Sequence, residues 1–318
     1  MSDLPKLPKA HLHVHAESTV RPGTLTELAA RHGVDLGPRR RAFAGFRDFA
    51  DHNARTRACL RDPADFARVG RELLEDEARQ GTVHAEVTFS AASHGDRLGD
   101  PEMPLDALFD GLRAGSAATG VTFAVILDHS RRRSVARFAR TCALAATRPE
   151  VVAVGLAGDE AYPLAPFADV IAETAVAMVH HAGETAGPES VREALGPGRT
   201  VRIGHGFRAL EDPELVAELR DRGIPMEVCP SSNTTLGLVA PGAHPLPRMI
   251  EAGLRVTLNT DVPDVTGQGL ADEYALVRDV YGASDGELAE LARTSLEAAF
   301  RPGPPPPPTA ATPWGRPG

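Results

Sequence analysis

The segment HLHVH, residues 11–15, sets three histidines in alternation with Leu12 and Val14 near the start of the chain. On an extended strand that alternation puts His11, His13 and His15 on one face and the apolar pair on the other. Imidazole is a common zinc ligand, so one strand already offers part of a metal shell. Further reactive residues follow in short runs: His181 and Glu184 in HAGE, His205 in GHG and Asp261 in NTD. Three imidazoles and a carboxylate suit one zinc ion and leave room for a water, whose pKa the ion lowers to about 7. His13, His15, His181 and Asp261 are the expected ligands. His205, between two glycines, is placed to orient or deprotonate the water. Glu184, three residues beyond a ligand, fits a proton carrier serving the substrate.

These residues act together only if the fold gathers them. Eight runs rich in β-branched residues and bounded by Gly or Pro read as strands: 10–15, 82–90, 121–129, 151–157, 177–183, 200–206, 225–230 and 255–261. Helical patterns lie between them. One has Asp62 as cap, Pro63 in the first turn and Gly81 as stop, and Asp212, Pro213 and Gly223 repeat that grammar. The alternation predicts an α/β fold, a (β/α)8 TIM barrel over residues 1–301 with extra helices after the first strand. A doubly wound sheet is the competing architecture, but it wants a glycine-rich loop where this chain has histidines. In a barrel the C-terminal strand ends form the active-site face, and the reactive residues all fall there. Residues 41–60, with Phe43, Phe46, Phe49 and Ala50 at helical spacing, form either a packing helix or a lid over the mouth. Residues 302–318 are proline-rich and read as an extended or disordered tail.

Composition narrows the function. The formal net charge of −9 opposes nucleic-acid binding. No apolar run approaches the roughly 20 residues of a membrane span, which argues against a membrane partner. The start, MSDLPKLPKA, lacks a signal-peptide core, and Cys59, Cys142 and Cys229 fit no disulfide framework. A cytoplasmic protein acting on a small molecule is expected. The only lysines, Lys6 and Lys9, precede the first predicted strand, so no carboxylated barrel lysine can bridge two metals and the site should hold one. His180 alternates away from His181 and reads as packing. His84, Glu86 and Thr88 form either a polar layer inside the barrel or substrate contacts, and Ser231, Ser232 and Asn233 line the mouth. The basic run RRRSVARFAR, 131–140, reads as a solvated helix start.

The chain resembles the adenosine deaminase family over roughly residues 5–300. The motifs are LPKAHLHVHAESTVRP, GLAGDE (155–160), HHAGE (180–184), RIGHGF (202–207), EVCPSSN (227–233), HPLPRMIEAG (244–253) and VTLNTDVP (256–263). The resemblance implies a barrel with one zinc ion that replaces the exocyclic amine of a purine-like ring with oxygen and releases ammonia. By position it gives zinc to His13, His15, His181 and Asp261, ring-nitrogen protonation to Glu184 and support of the nucleophile to His205. It places Glu17 near the sugar 5′-hydroxyl and the Gly158 backbone at the ring edge. Val262 stands where the adenosine enzymes carry an aspartate that bonds N7. Losing such a partner costs about 1–3 kcal/mol of recognition. Ala16, Ser18, His11 and Thr88 depart as well, so an adenosine-like nucleoside or a related aminopurine is the expected substrate. Hydrolysis of a cyclic amide, lactone or phosphoester at the same metal is the alternative, with a non-catalytic nucleoside binder behind it.

Overall fold

The computed structural model describes residues 4–300 apart from 39, 41 and 44, and the backbone alone of Phe46. The predicted proline-rich tail lies outside the described residues. Eight parallel strands run in chain order: β1 Lys9–His15, β2 Thr82–Phe89, β3 Thr122–Ser130, β4 Val151–Ala157, β5 Ala177–Ala182, β6 Thr200–His205, β7 Met226–Val228 and β8 Val256–Leu258. Each pairs with its sequence neighbour. The last gap is narrowed by a bridge between Val14 and Asp261, where His15 N–H donates to the Asp261 carbonyl at 3.0 Å and Asp261 N–H to that of His13 at 3.0 Å. This is the (β/α)8 barrel that the alternation predicts. No helix among the described residues is long and apolar enough to cross a membrane.

Three helices follow β1: α1 Pro22–His32, α2 Phe46–Ala58 and α3 Pro63–Arg79. The expected punctuation is present. Asp62 N–H donates to Asp65 Oδ2 at 3.0 Å in a capping box, and Asp212 accepts from the N–H groups of Glu214 and Leu215. The N-terminal end of the barrel is filled by a polar layer. Arg202 donates to Glu86 at 2.5 Å and to Glu227, and all three are buried. The helix Asp285–Ala298 and the residues after it close that end. Arg202 reaches the Ala298 carbonyl, and Phe300 N–H donates to Glu86 Oε1 at 2.6 Å. Of the two readings for His84 and Glu86, the interior layer is where they lie. His84 meets Thr122 Oγ1 at 2.8 Å.

Two expectations about β1 are corrected. Its three histidines do not share a face, because the pairing with β2 is irregular between His11 and Val14. The His11 ring turns to α3, with Nδ1 2.8 Å from Glu77 Oε1. Thr260 N–H donates to its Nε2 at 3.1 Å, which leaves the proton on Nδ1 for Glu77. His11 therefore ties α3 to the segment that carries Asp261. Lys9 does not precede the first strand but begins it. Its buried ammonium donates to the carbonyls of Leu4, Leu7 and Gln80.

Candidate active site

His13 and His15 on β1, His181 on β5, His205 at the end of β6 and Asp261 beyond β8 converge at the C-terminal mouth. The rings of His13 and His181 are 4.6 Å apart between centroids, and those of His13 and His205 5.0 Å. One donor atom each from His13, His181, His205 and Asp261 lies within 4.8 Å of the others. His15 joins this set with Nε2 3.3 Å from Asp261 Oδ1, close to the 3.4 Å of His13 Nε2. The donor set fits a divalent ion such as zinc. His13 Nε2 is buried with no hydrogen-bond partner among the described residues, a costly position for a polar nitrogen unless something binds it.

Neighbours fix these donors in place. His13 Nδ1 lies 2.8 Å from Glu227 Oε2, the carboxylate–histidine pairing that orients a metal-binding ring. The Ser232 hydroxyl donates to Asp261 Oδ2 at 2.6 Å and leaves Oδ1 facing the imidazoles. A side chain on Gly204 would put Cβ 2.9 Å from His13 Cε1, so only glycine leaves room for that ring. His205 and Asp261 adopt φ of 65° and 59°, and Arg199 is the only other non-glycine residue with positive φ among those described. Left-handed backbone at a non-glycine residue costs about 1–3 kcal/mol and persists where its surroundings enforce it.

Glu184 follows β5 on a loop held by one buried carboxylate. Glu160 accepts from the N–H groups of Gly183, Glu184 and Thr185 at 2.7, 2.9 and 2.7 Å, and from the Ser190 hydroxyl at 2.5 Å. Burial opposes ionisation of Glu160, but these donors hold its pKa below the usual carboxylate range. Glu184 behaves oppositely. Burial pushes its pKa well up, and the negative charges of Asp261 and Glu160 add to the effect. Both effects favour the protonated carboxyl over the carboxylate. Burial also lowers the His205 pKa to about 4, which leaves that ring neutral.

Asn233 joins the pair, donating from Nδ2 to Glu184 Oε1 at 3.0 Å and lying 3.3 Å from His205 Nδ1. Leu246 N–H donates to His244 Nδ1, so His244 Nε2–H donates to Asn233 Oδ1 and fixes which way the amide faces. If Glu184 serves the reaction, Asn233→Ala should lower kcat/KM by about 10- to 100-fold, the worth of a hydrogen bond to a buried carboxyl. Thermal melting should move little. Steady-state kinetics beside a melting curve checks this, and an unchanged kcat/KM would remove Asn233 from the machinery.

The cavity above these groups measures about 440 Å³. One wall is α2, which contributes Phe49, Asn53 and Arg57 among others. Within segment 41–60, read as a packing helix or a lid, helix α2 borders the cavity directly. Glu17 lines it and accepts from Ser90 N–H at 3.2 Å and from His94 Nε2 at 3.1 Å. Burial would raise the Glu17 pKa, but the His94 hydrogen bond and nearby positive charge bring it to about 2. Gly158, with φ of 94°, and Val262 also line the cavity. Val262 is buried in an apolar cluster with Phe49, Leu236 and Val265.

A family model described as adenosine deaminase matches residues 8–305. The chain belongs to the adenosine deaminase family. It is 35% identical to an adenine deaminase of Sinorhizobium medicae, over 92% of this chain and 94% of that one. It is 36% identical to an aminodeoxyfutalosine deaminase of Streptomyces coelicolor, over 92% and 80% respectively. The crystal structure of an adenine deaminase from Arthrobacter aurescens superposes with a TM-score of 0.88 at 29% identity, covering 92% of this chain and 94% of that chain.

Within this deaminase-family barrel, His13, His15, His181, Glu184, His205, Asp261, Glu17, Gly158 and Val262 all reach one mouth. Several neighbours on which they depend carry no sequence signal of their own. Glu160 and Glu227 sit inside quoted motifs, GLAGDE and EVCPSSN, yet only contacts across the barrel give them a purpose. The basic run needs correction. Arg131 is buried and donates to the carbonyls of Tyr162 and His181, the helix begins at Val135, and Arg132 and Arg133 border the cavity.

Proposed function

We propose that the chain is a hydrolytic deaminase that replaces the exocyclic amine of an aminopurine base or nucleoside with oxygen and releases ammonia, using one zinc ion. What carries the reading is the buried Glu184 carboxyl, its pKa raised by burial, lying 3.6 Å from His205 Nε2 and beside the cluster of His13, His181, His205 and Asp261. His13, His15, His181 and Asp261 would hold the ion. Zinc in such a set brings a water to a pKa of about 7 and so supplies a nucleophile at neutral pH. A ring-bound amine leaves poorly until the ring is protonated and its carbon becomes tetrahedral. Glu184 gives its proton to the ring nitrogen next to that carbon, which makes the carbon electrophilic. His205, neutral in its buried setting, accepts a proton from the attacking water. Asn233 keeps both groups aligned.

Glu17 is placed to bond a sugar hydroxyl and the Gly158 backbone to meet the edge of the ring, while Val262 gives an apolar wall. One ion, rather than two, is favoured because the Lys9 ammonium is committed to backbone carbonyls. Ammonia release from adenine, adenosine, deoxyadenosine and aminodeoxyfutalosine, with metal content measured on the same sample, tests the reading. Turnover of at least one compound is expected. Chelation should abolish it, and one equivalent of zinc per chain should restore it. Absence of ammonia from every amine at one bound zinc would sink the proposal.

A further inference from the structure

We propose that the substrate carries an oxyanion group, phosphate or carboxylate, on the side of the purine away from the reacting amine, held at the cavity mouth by Arg132 and Arg133. This names a substrate class for the site described above and rests on the deaminase reading.

The first observation is a local break in charge pairing. Asp and Glu outnumber Lys and Arg by 43 to 34, and arginines elsewhere find acceptors readily. Arg21 reaches Asp76 and Glu75, Arg148 reaches Glu102 and Asp106, and Arg208 reaches Glu211. Arg57, Arg132 and Arg133 line the cavity and form no ion pair and no side-chain hydrogen bond among the described residues. Arg132 has an aromatic partner instead, with its guanidinium carbon 5.6 Å from the centre of the Tyr162 ring. Arg140 and Arg248, away from the cavity, are the other described arginines without an acceptor.

The second observation is where the negative charge lies. Glu17 and Asp128 occupy the cavity beside the imidazoles and feel the charge of Arg57. An anionic group at that depth would be repelled, whereas at the rim it meets Arg132 and Arg133. These two follow β3 and immediately precede the helix Val135–Ala146, whose N-terminal end adds positive potential. Guanidinium groups bind planar oxyanions through paired hydrogen bonds, and a concave mouth concentrates their field. A neutral nucleoside would use none of this.

The test uses the full-length, metal-loaded protein and compares wild type with the Arg132→Ala/Arg133→Ala double variant. Ammonia release is measured from adenine, adenosine, adenosine 5′-monophosphate and adenosine 5′-carboxylate. In the wild type one anionic substrate should exceed adenosine in kcat/KM by about tenfold or more, and added salt should erode that advantage. In the double variant the anionic-to-neutral ratio should fall by about 10- to 100-fold. The phosphate and carboxylate arms show which anion the mouth accepts. A ratio at or below one in the wild type, or one that the double variant leaves unchanged, overturns the proposal. Calorimetry with inosine, inosine 5′-monophosphate and inosine 5′-carboxylate separates this failure from that of the deaminase reading. If no compound releases ammonia, weakening of anion binding by about tenfold in the double variant still supports the arginine site, and unchanged binding overturns it.

Discussion

Glu184→Gln should lower kcat/KM for ammonia release by about 10²- to 10⁴-fold, the usual worth of a positioned proton donor, while the protein keeps its fold and its metal. Glutamine preserves the shape and can still accept the Asn233 Nδ2 hydrogen bond of 3.0 Å, but it has no acidic proton to give to a ring nitrogen. The pH dependence follows from the same group. Burial, with Asp261 and Glu160 nearby, raises the Glu184 pKa, so the active protonated form is lost only as pH rises through that elevated value. The wild type should therefore show an alkaline fall in kcat/KM. The residual activity of Glu184→Gln should lack it. His205 sets the opposite limb, because it accepts protons only above a pKa near 4, so activity should hold down to mildly acidic pH. Measurement needs pH–rate profiles of both proteins beside their zinc content. A variant that retains wild-type turnover would exclude Glu184 as the acid.

The largest effect on stability is expected at Arg202. Its guanidinium lies between Glu86 and Glu227, and exposure of all three is at most 1%. Arg202→Met fills similar volume but leaves two carboxylates buried without a counter-charge. Breaking such a cluster from one side costs about 3–5 kcal/mol, a fall in Tm on the order of 10 °C for a domain of this size. The damage should reach the active site through Glu227, which sits 2.8 Å from His13 Nδ1. Zinc affinity should drop by about 10- to 100-fold, as when a histidine ligand loses its supporting carboxylate. A triple variant, Glu86→Gln/Arg202→Met/Glu227→Gln, separates the two effects. It should recover much of the lost stability because no lone charge remains, but it should not recover zinc affinity. Calorimetric melting and zinc titration of the three proteins provide the check. A single variant melting within about 1 °C of wild type would show that the layer is dispensable.

Segments of a few residues were enough to locate the strands, because β-branched runs bounded by Gly and Pro are local signals and a parallel barrel buries both faces of each strand. The capped helices around Pro63 and Pro213 were legible for the same reason. Once the strands are placed, His13, His15, His181, His205 and Asp261 must share the C-terminal mouth, so the reactive constellation follows from sequence alone. What holds those groups in working geometry does not. Glu227 supports His13 across a sequence separation of 214, Asn233 reaches Glu184 across 49, and Glu160 grips the Glu184 loop from more than 20 residues away. Such pairs have no common period or spacing, because each exists only once the barrel has curved the two strand ends together. The face of His11 was likewise beyond strict alternation, since an irregular register in β1 turns its ring to Glu77 on α3. Arg132 and Arg133 make the same point for charge. In sequence they are a basic run before a helix, and only the gathering of the β3 end and α2 around one cavity makes them part of its rim. Local chemistry selects which side chains can react, while chain closure over long separations decides which of them are oriented, neutral or charged.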